Sequence, residues 1–121
     1  MAEYLPIYKP GQALTLKASA GITGGVLVAV SGAGTVATAG AASAAWLGVA
    51  AFDAATNDNV TIHCSGVQSL TASGSIAAGD SLVTAASGQV ATGAAATPSA
   101  FVGVALTAAT NGQKVRVKLA R

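Results

Sequence analysis

The adjacent His63 and Cys64 are the residues that most resemble a catalytic pair, because an imidazole can activate a neighbouring thiol as a nucleophile. They lie in a run that alternates apolar and polar residues, which predicts a β-strand. Adjacent side chains of a strand point to opposite faces, so local geometry keeps the imidazole and the thiol apart. One histidine and one cysteine also provide too few ligands for a zinc site. We therefore predict that both are ordinary strand residues.

The carboxylates are spread along the chain rather than paired. Asp58 and Asp80 fall among turn-forming residues. Neither they nor Glu3 and Asp53 have a spacing that predicts an acid and a base side by side. The glycines of 32–37 match the loosest dinucleotide-binding pattern, but no βαβ unit surrounds them, and Gly and Ala are common enough in this chain for a chance match. We predict no catalytic, cofactor-binding or metal-binding residues, and no enzymatic activity.

The sequence consists of one unit that occurs twice. Trp-Leu-Gly-Val-Ala at 46–50 returns as Phe-Val-Gly-Val-Ala at 101–105, and the matches continue on both sides. The two pseudo-repeats cover 12–65 and 66–121, and the segment 1–11 before them has no counterpart. A repeat of this length indicates a duplicated architecture.

The repeat also assigns roles to individual residues. Trp46 and Phe101 are the largest side chains of their halves, and we predict that they anchor the core, with a subunit interface as the alternative. Cys64 corresponds to Leu119 in the other half, whereas the preceding histidine corresponds to a lysine. The duplication therefore predicts that the cysteine is a small buried residue and that His63 faces solvent.

Short alternating runs separated by Gly, Ser and Asn predict ten strands. They fall at 13–17, 26–30, 35–39, 47–52, 59–64, 67–71, 81–85, 89–92, 101–106 and 114–119. Two alanine-rich stretches, 39–45 and 93–100, have room for a single helical turn. Closing or stacking of sheets hides strand edges. The predicted fold is therefore all-β, a small internally duplicated β-barrel or sandwich forming a single domain over 12–121, with an extended N-terminal arm.

The composition favours assembly with other chains. Only 8% of the 121 residues are charged, and the 52% that are hydrophobic are rich in alanine, which buries little area. The net charge is +2. The basic residues near the C-terminus, Lys114, Arg116, Lys118 and Arg121, predict a solvated strand face rather than a nucleic-acid site, since no aromatic platform accompanies them. We expect no membrane span, because glycines interrupt the uncharged run 18–52, and no signal peptide.

The N-terminal arm, residues 1–11, differs from the rest of the chain in composition. It holds both tyrosines and two of the three prolines, which favour an extended path. Tyrosine is enriched at protein contacts because it combines apolar area with a hydrogen-bonding tip. One interpretation is a frayed terminus or an ordinary edge strand. The other is an arm that contacts a neighbouring subunit or a larger partner, with the candidate contact residues Glu3, Tyr4, Leu5, Pro6, Ile7, Tyr8 and Lys9.

The chain resembles the capsid cement or head-decoration proteins of tailed bacteriophages over nearly all of its length. The resemblance rests on the order and spacing of several short segments. These are the Pro-Gly opening at 8–16, the two Gly-Val-Ala segments, the Ala-Gly-Asp turn at 78–80, the Ser-Gly-Gln-Val hairpin at 87–90 and the closing strand at 115–119. The resemblance implies a small β-rich subunit on the outer surface of the icosahedral head, made in the host cytoplasm.

The resemblance also implies partners. The expected ones are the major capsid protein and, as a homotrimer, further copies of the chain, with no cofactor, no direct nucleic-acid contact and no membrane. Two other classes stay open: a non-catalytic virion module of a tail or fibre, and a carbohydrate-binding β domain, which would need exposed aromatic side chains. A small enzyme subunit is the weakest alternative.

Overall fold

A computed structural model describes residues 12–93 and 100–120, and ten strands form within them. They are β1 (Leu14–Ala18), β2 (Leu27–Gly32), β3 (Thr35–Thr38), β4 (Trp46–Ala50), β5 (Asn59–His63), β6 (Val67–Thr71), β7 (Ser81–Thr84), β8 (Val90–Thr92), β9 (Phe101–Ala105) and β10 (Lys114–Leu119). The predicted bounds of β6 and β10 agree with the structure, and the other eight strands lie within two residues of their predicted ends. The N-terminal arm lies outside the described residues.

The first half closes into a barrel, called the first barrel here, with the strand order β1-β3-β2-β4-β5. Its strands pair antiparallel except β1 and β3, which run parallel with Ala18 opposite Val36. Apolar side chains that alternate along the strands fill the interior, as the period of two requires. The buried members are Ala18, Ile22, Val28, Val36, Ala50, Ala54, Val60 and Ile62.

The second half repeats this pattern as a five-stranded sheet, called the second sheet, with the order β6-β10-β9-β7-β8. Its edge strands are joined by a single parallel bridge between Ala72 and Val90, which corresponds to the pairing of Ala18 with Val36 in the first barrel. The prediction of an all-β, internally duplicated fold is therefore confirmed, and each half builds its own curled sheet.

Glycines inside β4 and β9 mark the same irregularity in both halves. Gly48 lies opposite Val28 and Gly103 lies opposite Leu82, and in each pair of strands the register shifts next to the glycine. A Cβ atom on Gly48 would collide with the carbonyl oxygen of His63, and one on Gly103 with that of Lys118. The backbones approach so closely that only glycine fits, and such bulges help a sheet to curl.

The predicted helical turn in 39–45 is wrong, because this stretch forms turns without a helix. Its backbone instead bonds to the second half, with the Ala42 amide donating to the Thr84 carbonyl at 3.1 Å. The second predicted turn, in 93–100, falls mostly outside the described residues. A short 3₁₀ turn occurs at Ala86–Gly88, where the prediction has a simple hairpin. Ser87 and Gly88 there have positive φ angles of 60° and 71°, which a glycine adopts without strain.

Candidate interaction surfaces

The residues predicted to contact the capsid or another subunit, Glu3 to Lys9, lie outside the described residues. Their role stays a prediction. The candidate surfaces that the structure does describe belong to the two sheets. A comparison of burial at equivalent positions of the two sheets identifies these surfaces.

His63 and Cys64 have separate environments. His63 is exposed at the end of β5, whereas Cys64 packs against the interior of the first barrel and its thiol donates to the Ile62 carbonyl at 3.6 Å. Burial raises the pKa of the Cys64 thiol, while a hydrogen bond with the Leu14 backbone opposes the shift. The predicted division between a solvent-facing histidine and an inward cysteine is confirmed. Cys64 is half-buried rather than fully buried, and a protonated thiol is a poor nucleophile.

The aspartates stabilise turns. Asp80 accepts from the Ala77 amide and from the Thr92 hydroxyl, both at 2.9 Å, and Asp53 accepts from the Gly24 amide at 2.7 Å. Among residues 12–93 and 100–120, no cluster of three or more His, Cys, Asp or Glu side chains could hold a metal ion. None of the helices in that part of the chain is long and apolar enough to cross a bilayer.

The predicted core anchors Trp46 and Phe101 have different environments. Trp46 is completely buried, so its prediction is confirmed, but it belongs to the hydrophobic cluster of the second half rather than to the interior of its own barrel. Phe101, the corresponding residue, is only partly buried and is not among the buried residues of either hydrophobic cluster, so the prediction that it anchors the core as Trp46 does is wrong. The reason is that the outer face of β2 and β4 is covered by the second half, whereas no described residues cover the corresponding face of β7 and β9 in the same way.

The covered face of the first barrel is called the Trp46 cover. Its members are Leu27, Ala29, Ala39, Trp46 and Val49, which share one buried cluster with the interior of the second sheet. Three backbone donors hold the halves together. The Gly88 amide donates to the Ala39 carbonyl at 2.9 Å, and the amides of Ala42 and Ser43 donate to the Thr84 carbonyl and hydroxyl at 3.1 and 2.7 Å. These bonds place the cover at the end of the second sheet that contains Thr84 and Gly88.

Among residues 12–93 and 100–120, the same end of the first barrel has no such cover. Here β1, β3 and β4 begin while β2 and β5 finish. Four side chains that pack against the barrel interior from this end are only partly buried, and Val30 beside them is 48% exposed. The five residues that form this open end are Leu14, Leu16, Val30, Leu47 and Cys64.

The outer face of β10 carries the basic stripe predicted from the sequence. Lys114, Arg116 and Lys118 are exposed and alternate with buried Val115, Val117 and Leu119. Lys118 lies between Val67 and Val104 on the neighbouring strands, and these two valines are 51% and 39% exposed. The face is therefore mixed, with basic groups set among apolar ones. Sequence reasoning found the basic residues from their alternation but had no signal for the exposed valines.

Together these features define a small β-rich module that exposes apolar side chains at the open end of the first barrel and on the outer face of the second sheet. Its described residues include no assembled catalytic group. The chain matches the family model of phage cement proteins over residues 8–119, and it belongs to that family. Membership indicates a capsid-associated structural role in a phage particle.

A solved structure adds information on the fold. The chain is similar to the head fiber gp8.5 N base of bacteriophage phi29, with a TM-score of 0.71, 22% sequence identity, and coverage of 90% of this chain and 93% of that chain. At this identity the likeness shows a shared fold. No curated protein matches the chain.

Proposed function

We propose that this protein is a head-decoration, or cement, protein that binds the outside of the assembled capsid of a tailed bacteriophage and stabilises it. The observation that carries the proposal is the family match, which extends over residues 8–119 and so includes both halves of the fold. The partner in this proposal is the major capsid protein.

The stabilisation follows from linkage. A ligand that binds one state of a shell more tightly than the others shifts the equilibrium toward that state. A cement protein that prefers the expanded lattice therefore opposes both contraction and loss of subunits. The protein needs no reactive group for this role, only a rigid body and complementary surfaces.

Attachment is assigned to the N-terminal arm, and trimer formation to the two sheets. Three arms on one trimer bind as a unit, so weak single contacts give firm attachment. The arm offers Tyr4, Leu5, Ile7 and Tyr8 as apolar contacts and Lys9 as a charged one. Only 8% of the residues in the whole chain are charged, which suits a subunit whose surface is packed against partner proteins.

The test is to add the purified protein to expanded and to unexpanded heads of the same phage and measure co-sedimentation and thermal disruption of the heads. We expect saturable binding to expanded heads and a higher disruption temperature. Protein that binds neither form, or binds without changing the disruption temperature, contradicts the proposal. A variant that lacks residues 1–11 tests the arm separately, and undiminished binding by this variant removes the arm from the mechanism.

The second candidate is the base of a fibre, which the similarity to the phi29 head fiber base favours. Electron microscopy of intact virions separates the two, because a decoration protein ends at the head surface, whereas a fibre base on the head or the tail carries a fibre that projects from it. The carbohydrate-binding alternative gains no support from the described aromatic residues. Trp46 is buried, and Phe52 is 49% exposed. Among residues 12–93 and 100–120, no second exposed aromatic ring accompanies Phe52 to form a sugar-binding platform.

A further inference from the structure

The open end of the first barrel is equivalent to the end of the second sheet that the Trp46 cover closes. Leu16, Leu47 and Cys64 are only partly buried, whereas their counterparts Leu70, Val102 and Leu119 are buried. The counterparts owe this burial to the Trp46 cover, which joins their cluster.

The second half carries the counterpart of that cover, and among residues 12–93 and 100–120 nothing packs on it as the second sheet packs on the Trp46 cover. Leu27 pairs with Val49 and Ala29 pairs with Trp46 on the outer face of the first barrel. The corresponding pairs on the second sheet join Ser81 with Val104 and Val83 with Phe101, with the same register shift between them. We call these four residues the Phe101 face. Val104 is 39% exposed, Ser81 is exposed, and Val83 and Phe101 are partly buried.

We propose that the Phe101 face of one chain covers the open end of the first barrel of a second copy, as the Trp46 cover closes the second sheet within each chain. The occupant follows from the internal duplication, because the described part of the chain leaves both a cover and an end of the same kind without a counterpart. The two surfaces lie on different halves, so the contact is heterologous and repeats from chain to chain. The inference rests on the proposed function, since a closed ring of such contacts is one way to build the proposed trimer.

Backbone geometry supports the equivalence of the two ends. The hairpin tip of the first barrel includes Gly34, with a φ angle of 72°, and the tip of the second sheet includes Gly88, with a φ angle of 71°. In the chain, the Gly88 tip lies against the start of β2, where a Cβ on Gly88 would meet Leu27 backbone atoms. The Gly34 tip is exposed, and no residue of either surface carries a formal charge at neutral pH. Lys118, which pairs with Val104, borders the Phe101 face, so the contact has a charge at its edge and none within it.

The contact between chains is weaker than the one within a chain. Thr84 accepts the Ser43 amide through its hydroxyl, and its counterpart Val30 has no hydroxyl to do so. Leu27 in the Trp46 cover corresponds to Ser81 in the Phe101 face, so less apolar area is available. Assembly is therefore expected to be reversible and to depend on chain concentration.

The experiment uses two variants that each disable one surface. Phe101→Asp places a charge in the face and leaves the open end intact, and Val30→Asp does the reverse. By sedimentation, each variant alone is expected to stay monomeric at concentrations where the wild-type chain associates. An equal mixture is expected to give dimers and nothing larger, because it retains one working contact per pair.

The matched control is Phe52→Asp, which changes a more exposed aromatic residue at the opposite end of the first barrel. This variant is expected to associate like the wild-type chain. Val104→Asp serves as a second face variant should Phe101→Asp fail to fold. A wild-type chain that is still monomeric at about 1 mM overturns the proposal. So does association of either surface variant at the wild-type level, or a mixture that yields no dimers.

Cys64 reports whether a second copy or the N-terminal arm covers the open end. Its alkylation is expected to slow as the chain concentration rises, and to become independent of concentration in Phe101→Asp. If the arm is the cover, removal of residues 1–11 accelerates alkylation even in dilute monomers, and that result overturns the proposal.

These measurements use the purified protein without phage heads, so they test the contact between chains independently of capsid binding. Wild-type protein that binds expanded heads but does not associate through these surfaces refutes the inference alone. Protein that associates through these surfaces but does not bind expanded heads refutes the proposed function alone.

Discussion

Leu70 of the second sheet is buried, whereas Leu16, at the same position of the first barrel, is partly exposed. Both lie opposite a valine of the neighbouring strand, Val115 or Val60, in the same antiparallel register. Strand pairing and side-chain direction are therefore the same, and only the cover over the end of each sheet differs. The comparison shows that burial in this fold depends on the neighbour of a sheet as well as on the sheet.

Trp46 and Phe101 illustrate the same lesson. The two residues occupy equivalent positions next to equivalent bulges, yet one is fully buried and the other only partly buried. The two halves have two covers and two ends, but the described residues form only one junction between them. In that part of the chain one cover and one end are left over, and these are the candidate surfaces for other molecules.

The largest expected effect tests this contrast directly. Trp46→Ala is expected to lower the free energy of unfolding by about 3–5 kcal/mol, because it empties a fully buried site shared by both halves. Phe101→Ala is expected to cost less, about 1–2 kcal/mol in dilute solution, because the ring is partly rather than fully buried. Urea unfolding of both variants at low chain concentration measures the difference. Equal losses would contradict the contrast between the covers.

The next effect tests what the halves share. Gly48→Ala and Gly103→Ala are each expected to cost about 1–3 kcal/mol, because the new methyl group meets a backbone carbonyl that cannot move without distorting the sheet. The control is Gly21→Ala, where no atom lies within 4 Å of the added carbon. Thermal unfolding gives the ranking. Tolerance of alanine in one half alone would mean that the two bulges are not equivalent.

A smaller effect concerns the junction. Thr84→Val removes the hydroxyl that accepts the Ser43 amide at 2.7 Å and is expected to cost about 1 kcal/mol. The converse change in the first barrel, Val30→Thr, is expected to alter stability by less than about 0.5 kcal/mol because Val30 is exposed. Urea unfolding compares the two variants in dilute solution. A cost for Val30→Thr as large as that for Thr84→Val would indicate that the open end is already covered in the monomer.

The smallest effect is a pH dependence at Cys64. Burial raises the pKa of its thiol in the folded chain above the ordinary value of 9.0. The protonated form is thus favoured by folding, and this contribution is present below pH 9.0 and is lost as the pH rises through the folded-state pKa. We expect unfolding free energy to fall less steeply with alkaline pH in Cys64→Ala than in the wild-type chain. Parallel curves for the two proteins would show that the burial of the thiol has no effect on stability.

Much of the fold could be predicted from the sequence because strand signals are local. The alternation of Lys114, Arg116 and Lys118 with buried valines placed β10 correctly, and the repeat placed β4 and β9 in equivalent positions. The inward Cys64 and outward His63 followed from the same alignment. The errors fall where packing between the halves decides. Residues 39–45 have alanines that suit a helix, but their amides bond to Thr84 across the junction, and the stretch forms turns instead.

The sequence by itself determined the strands, the duplication and the family, because side-chain alternation and repeated segments are properties of the chain read in order. The tertiary structure decided which of two equivalent surfaces is buried. Trp46 and Phe101 have the same local context, and no local pattern distinguishes a cover that is used within the chain from one that is left free. The difference arises because the second half follows the first and packs on it, while nothing in the described chain packs in the same way on the Phe101 face.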